Sequence, residues 1–293
     1  MRVRFARFVD SVPQVSSLRW SSRPDLNQPI IIAAFEGWND AGESATEAVR
    51  HLRDAWGALP FADIDPEEYY DFTSVRPMIH LDDDGTRRIL WPENEFYWAQ
   101  PPGAPAVILL RGIEPQLKWR TFCNDIVEVA TQLQARLVIT LGALLADVAH
   151  TRPTSVFGTA YDLKVTSALH LEESRYEGPT GVVGVLHEDC YERNIHSASL
   201  WAAVPSYVPA APSPKAALAL VERVCGILRT EVPTVDLAAA AAAYEIQISE
   251  LVDEDEDTAA YVSHLEETYD RDAIAEDTAD ELVSEVEKFL REQ

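Results

Sequence analysis

The chain has 293 residues, 47% of them hydrophobic, with 24 Lys and Arg against 49 Asp and Glu for a formal charge of −25. That length can bury a sizeable core, and that charge repels nucleic acid and anionic membrane, so neither is expected as a partner. Cys123, Cys190 and Cys225 are an odd, widely spaced set with no CxxC pair, which gives no disulfide or zinc framework and suits a reducing cytosol.

Residues 1–28 are polar and interrupted by proline after Val9. They read as an irregular lead-in without the continuous apolar segment of a signal peptide, and no later run is long enough to span a bilayer. A soluble, cytoplasmic protein is expected. Ile30 to Phe35 is a short β-branched apolar run, the pattern of a buried strand. Glu36-Gly37-Trp38-Asn39-Asp40-Ala41-Gly42 then packs turn-formers around one aromatic. A helix follows to Trp56, with Ala45, Ala48, Val49, Leu52 and Trp56 on one face. Asp40 and Glu43 have capping-box spacing, which makes Asp40 the expected N-cap.

Phe61 to Ile64, Phe72 to Val75 and Met78 to Leu81 read as strands, with a one-turn helix start at Asp65-Pro66-Glu67-Glu68. Asp82-Asp83-Asp84-Gly85 is a hairpin turn into Arg87 to Trp91. It does not read as a calcium loop, because Arg87 and Arg88 stand where oxygen ligands belong. Asn94 to Trp98 is strand-like, and Ala106 to Leu110 is a second buried run closed by Arg111-Gly112. A helix from Gln116 to Gln134 precedes a third buried strand, Leu137 to Leu141. Strands alternating with helices at this spacing predict a parallel sheet covered by helices. Asp147 to Tyr161 reads as loop. Val182 to Leu186 leads into a helix at His187 to Asn194, Ala198 to Val204 is a fourth buried strand, and Pro214 to Leu228 is a helix.

Beyond Pro233 the pattern is helical throughout, with Leu237, Ala241, Tyr244, Ile248 and Leu251 on one face, continued by Tyr261, Leu265, Leu282, Val286 and Leu290. These helices are expected to cap the sheet domain or a neighbouring subunit. The domain reading is therefore an α/β core over 1–232 and an acidic helical extension over 233–293. From Glu245 onward there are 18 Asp and Glu against three Lys and Arg. Such a run is ordinarily a solvated face, and a docking segment for a basic partner is the alternative.

The chemistry-bearing patterns are few. Gly178, Gly181 and Gly184 give GxxGxxG, which is not the dinucleotide fingerprint, and there is no GxxxxGK[ST]. His187 and Cys190 are one helical turn apart, but Glu188 and Asp189 between them disfavour a thiolate. No GxSxG elbow or HExxH helix is present. The first strand–helix turn reads first as structural, with Trp38 packed and Asp40 capping; the alternative is a small-ligand pocket there, with candidate residues Glu36, Gly37, Trp38, Asn39, Asp40, Arg152, Arg175, Gly178, Thr180 and Gly181. A phosphate there would meet Glu36, Asp40 and Glu43, so Arg152 and Arg175 are the cations expected to serve it. No catalytic residue, metal site or cofactor is assigned.

Read together, FEGWNDAG, DIDPEEYYDF…RP (63–77), ILWPE (89–93), RGIEP (111–115) and SRYEGPTGVVGVLH (174–187) resemble the bacterial branch of the proteasome assembly chaperone 2 family across most of 25–235. The resemblance implies a three-layer α/β/α sandwich of the phosphorylase/hydrolase-like type with a C-terminal helical extension. It also implies self-association as a homo-oligomer, a dimer or trimer. Eukaryotic members hold proteasome α-subunits during ring assembly, so chaperone-like assembly activity with proteasome subunits as partners is the implied function. Some family chaperones dock through a terminal hydrophobic-Tyr-any tripeptide. The last three residues here, Arg291-Glu292-Gln293, do not match it. The alternative is a nucleoside phosphorylase- or hydrolase-like enzyme acting on a small metabolite.

Overall fold

Short apolar runs flanked by turn-formers become inner strands, and the longer periodic segments become the helices that cover them. The computed structural model describes residues 17–174 and 176–291, with side chains as far as Ala273. In chain order these are β1 Leu18–Trp20, β2 Ile30–Glu36, α1 Ser44–Ala55, β3 Leu59–Ile64, β4 Met78–Leu81 and β5 Arg87–Leu90. Then come β6 Glu95–Ala99, β7 Val107–Ile113, α2 Trp119–Gln132, β8 Leu137–Ala146, β9 Val156–Ala160 and α3 Leu163–Leu169. The remainder are β10 Glu172–Glu173, α4 Val182–Glu192, β11 Ser197–Pro205, α5 Pro214–Leu228, α6 Val235–Asp253 and α7 Glu256–Arg291.

One nine-stranded sheet runs β1-β3-β6-β7-β2-β8-β11-β9-β10. β7, β2, β8 and β11 are parallel, as the strand–helix alternation predicts. The flanks are not: β1, β3 and β6 run antiparallel, and β9 pairs antiparallel with β11. Side chains alternate across β2, so Ile30, Ile32 and Ala34 pack under α1 and α5. Ile31, Ala33 and Phe35 pack under α2 and α4 on the opposite face. Three layers result, and a strand buried on both faces has to be apolar at every position. Each Leu, Ile or Phe buried in this way contributes about 1.5–3 kcal/mol.

Several expectations change. Residues 1–16 lie outside the described residues, but the rest of the expected lead-in contains β1, paired with β3. Phe72 to Val75 is a turn and not a strand, because Asp71 accepts the Thr73 N–H at 2.9 Å and its hydroxyl at 2.7 Å. The expected loop over 147–161 contains β9. β7 runs through Gly112 to Ile113, and β8 runs five residues past Leu141. α2 begins at Trp119, after Lys118 adopts a left-handed conformation.

The β4–β5 hairpin pairs Met78 with Leu90 and Ile79 with Ile89 as a separate two-stranded sheet. Every residue of its two strands is exposed. At the other end of the chain, α6 packs on α5. Tyr244, Ile248 and Val252, with Val262 of α7, cover Ala149, Tyr207, Val208 and Ala211. Val252 takes the inner position expected of Leu251, which is exposed. His150 fastens this contact: its Nδ1 is 2.8 Å from the Tyr207 hydroxyl and its Nε2 is 2.9 Å from Ser249 of α6. The side chains of Leu282, Val286 and Leu290 lie outside the described residues. Among the described residues, no helix is long and apolar enough to cross a membrane.

Candidate functional site

Three stretches far apart in sequence meet at the carboxyl end of β2. The Glu36 carbonyl accepts the Glu114 N–H at 2.8 Å, and its carboxylate pairs with Arg111 of β7. Gly37 turns the chain at φ +125°, a region that side chains disfavour. Asn39 and Gly42 then offer their carbonyls to the N–H groups of Ala143 and Ser213, both at 2.8 Å. Gly42, at φ +60°, lies so close to Ala211 and Ser213 that a Cβ would stand 3.0–3.1 Å from their atoms. The turn is thereby stitched to the end of β8 and to the loop entering α5.

Asp40 caps α1, though not through a capping box. A 3-10 turn over Ala41–Glu43 intervenes, Glu43 is left-handed, and the helix starts at Ser44. Asp40 Oδ1 accepts the Ala45 N–H at 2.6 Å and Oδ2 accepts the Thr46 hydroxyl. Burial pushes the carboxyl up to about 6, against the lowering effect of the Thr46 and Ala45 bonds.

The start of α4 is capped from outside its own segment. Gly181 precedes Val182, and the Val182 N–H donates to Glu114 Oε1 at 2.8 Å. The same oxygen accepts Asn39 Nδ2 at 3.0 Å. A Cβ on Gly181 would lie 2.5 Å from Asn39 Nδ2 and 2.7 Å from Glu114 Oε1, so the junction needs glycine there. The N-terminal ends of α1 and α4 are thus filled by the chain's own carboxylates, where an anion would otherwise bind.

A cavity of about 570 Å³ opens beside this junction. Its walls come from the β2–α1 turn, the end of β8, β9, the 174–181 loop, the first turns of α4, and β11. Of the sequence-predicted residues, Gly37, Trp38, Asn39, Thr180 and Gly181 line it. Glu36 and Asp40 belong to the internal bonds just described, and Gly178 lies off the lining, where a Cβ would be 2.7 Å from the Tyr176 hydroxyl. Arg152 is directed elsewhere, paired with Glu266 and Asp270 of α7. Arg175 lies outside the described residues.

Besides Asn39 and Thr180, the cavity has polar groups that sequence reasoning does not assign to it: His187, Thr159, Ser199 and Trp201. His187 reaches it from α4 with Nε2 at 2.8 Å from Thr140 Oγ1, and burial lowers the imidazole to about 4, so it is neutral near pH 7. Ser199 of β11 accepts Trp201 Nε1 at 3.1 Å and shares a hydrogen bond of 3.1 Å with Thr159 of β9. The Trp201 ring packs against Gly142, where a Cβ would stand 2.6 Å from ring atoms. Cys190, one turn from His187, is fully buried, and burial pushes its thiol up to about 12. His187 is thus committed to Thr140, and the thiol remains protonated. Among the described residues no His, Cys, Asp and Glu group has metal-binding geometry.

These features define a mixed α/β protein whose strand-end turn is held by its own carboxylates and opens onto a cavity whose lining, among the described residues, carries no charged side chain. The chain belongs to the PAC2 family, whose model matches residues 34–252. A PAC2 family protein from Streptomyces avermitilis is 44% identical, with a TM-score of 0.75 over 80% of this chain and 99% of that one. A proteasome-assembly chaperone homologue from Mycobacterium tuberculosis is 46% identical, with a TM-score of 0.72 over 80% and 99%. An archaeal proteasome activator from Pyrococcus furiosus shares the fold at 18% identity, with a TM-score of 0.66 over 80% and 97%. No match was found among the curated proteins.

Proposed function

We propose that this chain is a non-catalytic, self-associating assembly factor whose partners are proteasome subunits. The observation that carries this reading is its 46% identity to a proteasome-assembly chaperone homologue, over 99% of that protein. Two features support protein binding over metabolite turnover. The carboxylates of Asp40 and Glu114 occupy the helix N-termini that a phosphate would use. On the β4–β5 arm, exposed Ile79, Leu81 and Ile89 share one face and exposed Met78 and Leu90 the other, apolar side chains of the kind found where a protein partner docks.

The test is affinity capture with the full chain as bait and recombinant proteasome α-subunits as prey, alongside sedimentation analysis of the bait alone. Stoichiometric retention of an α-subunit, with the bait sedimenting as a dimer or trimer, is the expected result. A folded bait that retains no α-subunit at micromolar concentration overturns the partner assignment. A bait that stays monomeric overturns self-association.

A further inference from the structure

We infer that the strand-end cavity is a binding site for an uncharged aromatic small molecule. This reading is separate from the assembly role and does not rest on it. Trp38, Phe157, Tyr161 and Tyr176 come from three separate stretches of the chain, yet all four line one opening. All four are exposed, Trp38 by 66%. Rings offered to solvent in this way gain most from a flat apolar body laid against them. The cavity's 570 Å³ lies within the range of sites that enclose molecules of two or three rings.

Charge selects the ligand class. Among the described residues, the lining includes no Asp, Glu, Lys or Arg. Among the described residues a bound anion finds no cationic partner on the lining and would lie beside the Glu114 carboxylate, while a bound cation finds no carboxylate on the lining. The floor is polar and neutral. His187 is held by Thr140, and the Trp201 Nε1, Ser199 and Thr159 chain uses one indole N–H and one hydroxyl hydrogen. That chain retains one hydroxyl hydrogen and unused lone pairs. It can therefore take one edge of a ligand carrying an N–H, an O–H or a carbonyl group.

The probe is N-phenyl-1-naphthylamine, a neutral fluorophore with one N–H, compared with its anionic relative 8-anilinonaphthalene-1-sulfonate. Titration into the full chain is expected to give saturable one-to-one fluorescence enhancement for the amine. The sulfonate is expected to bind at least about tenfold more weakly. Trp38→Ala and Phe157→Ala should each weaken the amine by about tenfold. Both rings are exposed, so the unfolding transition of each variant should match the parent, which separates loss of binding from loss of fold. A sulfonate that binds as tightly as the amine overturns the inference. So does non-saturable binding, or an affinity indifferent to both substitutions. Displacement of the amine by a captured proteasome α-subunit would assign the cavity to a protein side chain and would equally overturn it.

Discussion

Glu114 is the single side chain on which the site's geometry depends most, and its replacement gives a quantitative test. One oxygen accepts two donors, Val182 N–H at 2.8 Å and Asn39 Nδ2 at 3.0 Å. Hydrogen bonds to a charged group are worth about 1.5–3 kcal/mol each, and a buried donor left unpaired costs about 1–3 kcal/mol. Asn39 is only 2% exposed, so its amide has little access to water, whereas the Glu114 carboxylate itself is half-buried and partly hydrated. Glu114→Ala should therefore cost about 2–4 kcal/mol, the two bonds not being additive. Glu114→Gln keeps an acceptor oxygen in place and loses the charge opposite the α4 N-terminus, a change of about 1 kcal/mol. Urea unfolding of the parent and both variants, with equal slopes, measures these differences. Equal losses for the two variants, or an alanine loss below about 1 kcal/mol, would refute the junction as described.

Two further predictions follow from buried groups. Asp40 has a folded-state value of about 6, above the ordinary 3.8, with burial as the main cause. The folded chain therefore holds an extra proton between about pH 4 and pH 6, and the associated stability is lost as pH rises through about 6. Relative to the parent, Asp40→Asn should gain up to roughly 3 kcal/mol between pH 4 and pH 7 and then level off; a pH-independent difference would contradict this. His150→Ala removes the side-chain bonds to Tyr207 and Ser249 and should cost about 1–3 kcal/mol. Hydrogen exchange should then accelerate in α6 while the inner strands stay protected; unchanged exchange in α6 would show that the contact does not fasten the helix.

What the sequence made legible was what periodicity encodes. The β2 run, the α1 face, α5 and β11 are legible in the sequence, because burial on both sides of a strand or on one side of a helix leaves a repeating pattern. The site was less legible because its parts come together only in three dimensions. Asn39, Glu114 and Val182 lie in separate segments, and nothing local to RGIEP shows that its glutamate caps a helix 68 residues away. β9 was hidden by its neighbours: Pro153 and Gly158 have the composition of a loop. Gly158 lets the Leu171 and Leu200 side chains close over the strand, since a Cβ would come within 2.6 Å and 2.8 Å of their δ-methyl carbons. The Gly/Pro-rich loop around Arg152 points to the pocket, whereas Glu266 and Asp270 of α7 decide where its charge is neutralised.

The β4–β5 ribbon has an unpaired outer edge on each of its two strands. An extended segment can be added to either side without disturbing the nine-stranded sheet, so the ribbon and the sheet can accept neighbours independently. Arg87, Arg88 and the three aspartates at its tip place charge along that edge and act against indiscriminate strand addition. Strand addition there is expected to depend on salt and on the sign of the incoming segment's charge.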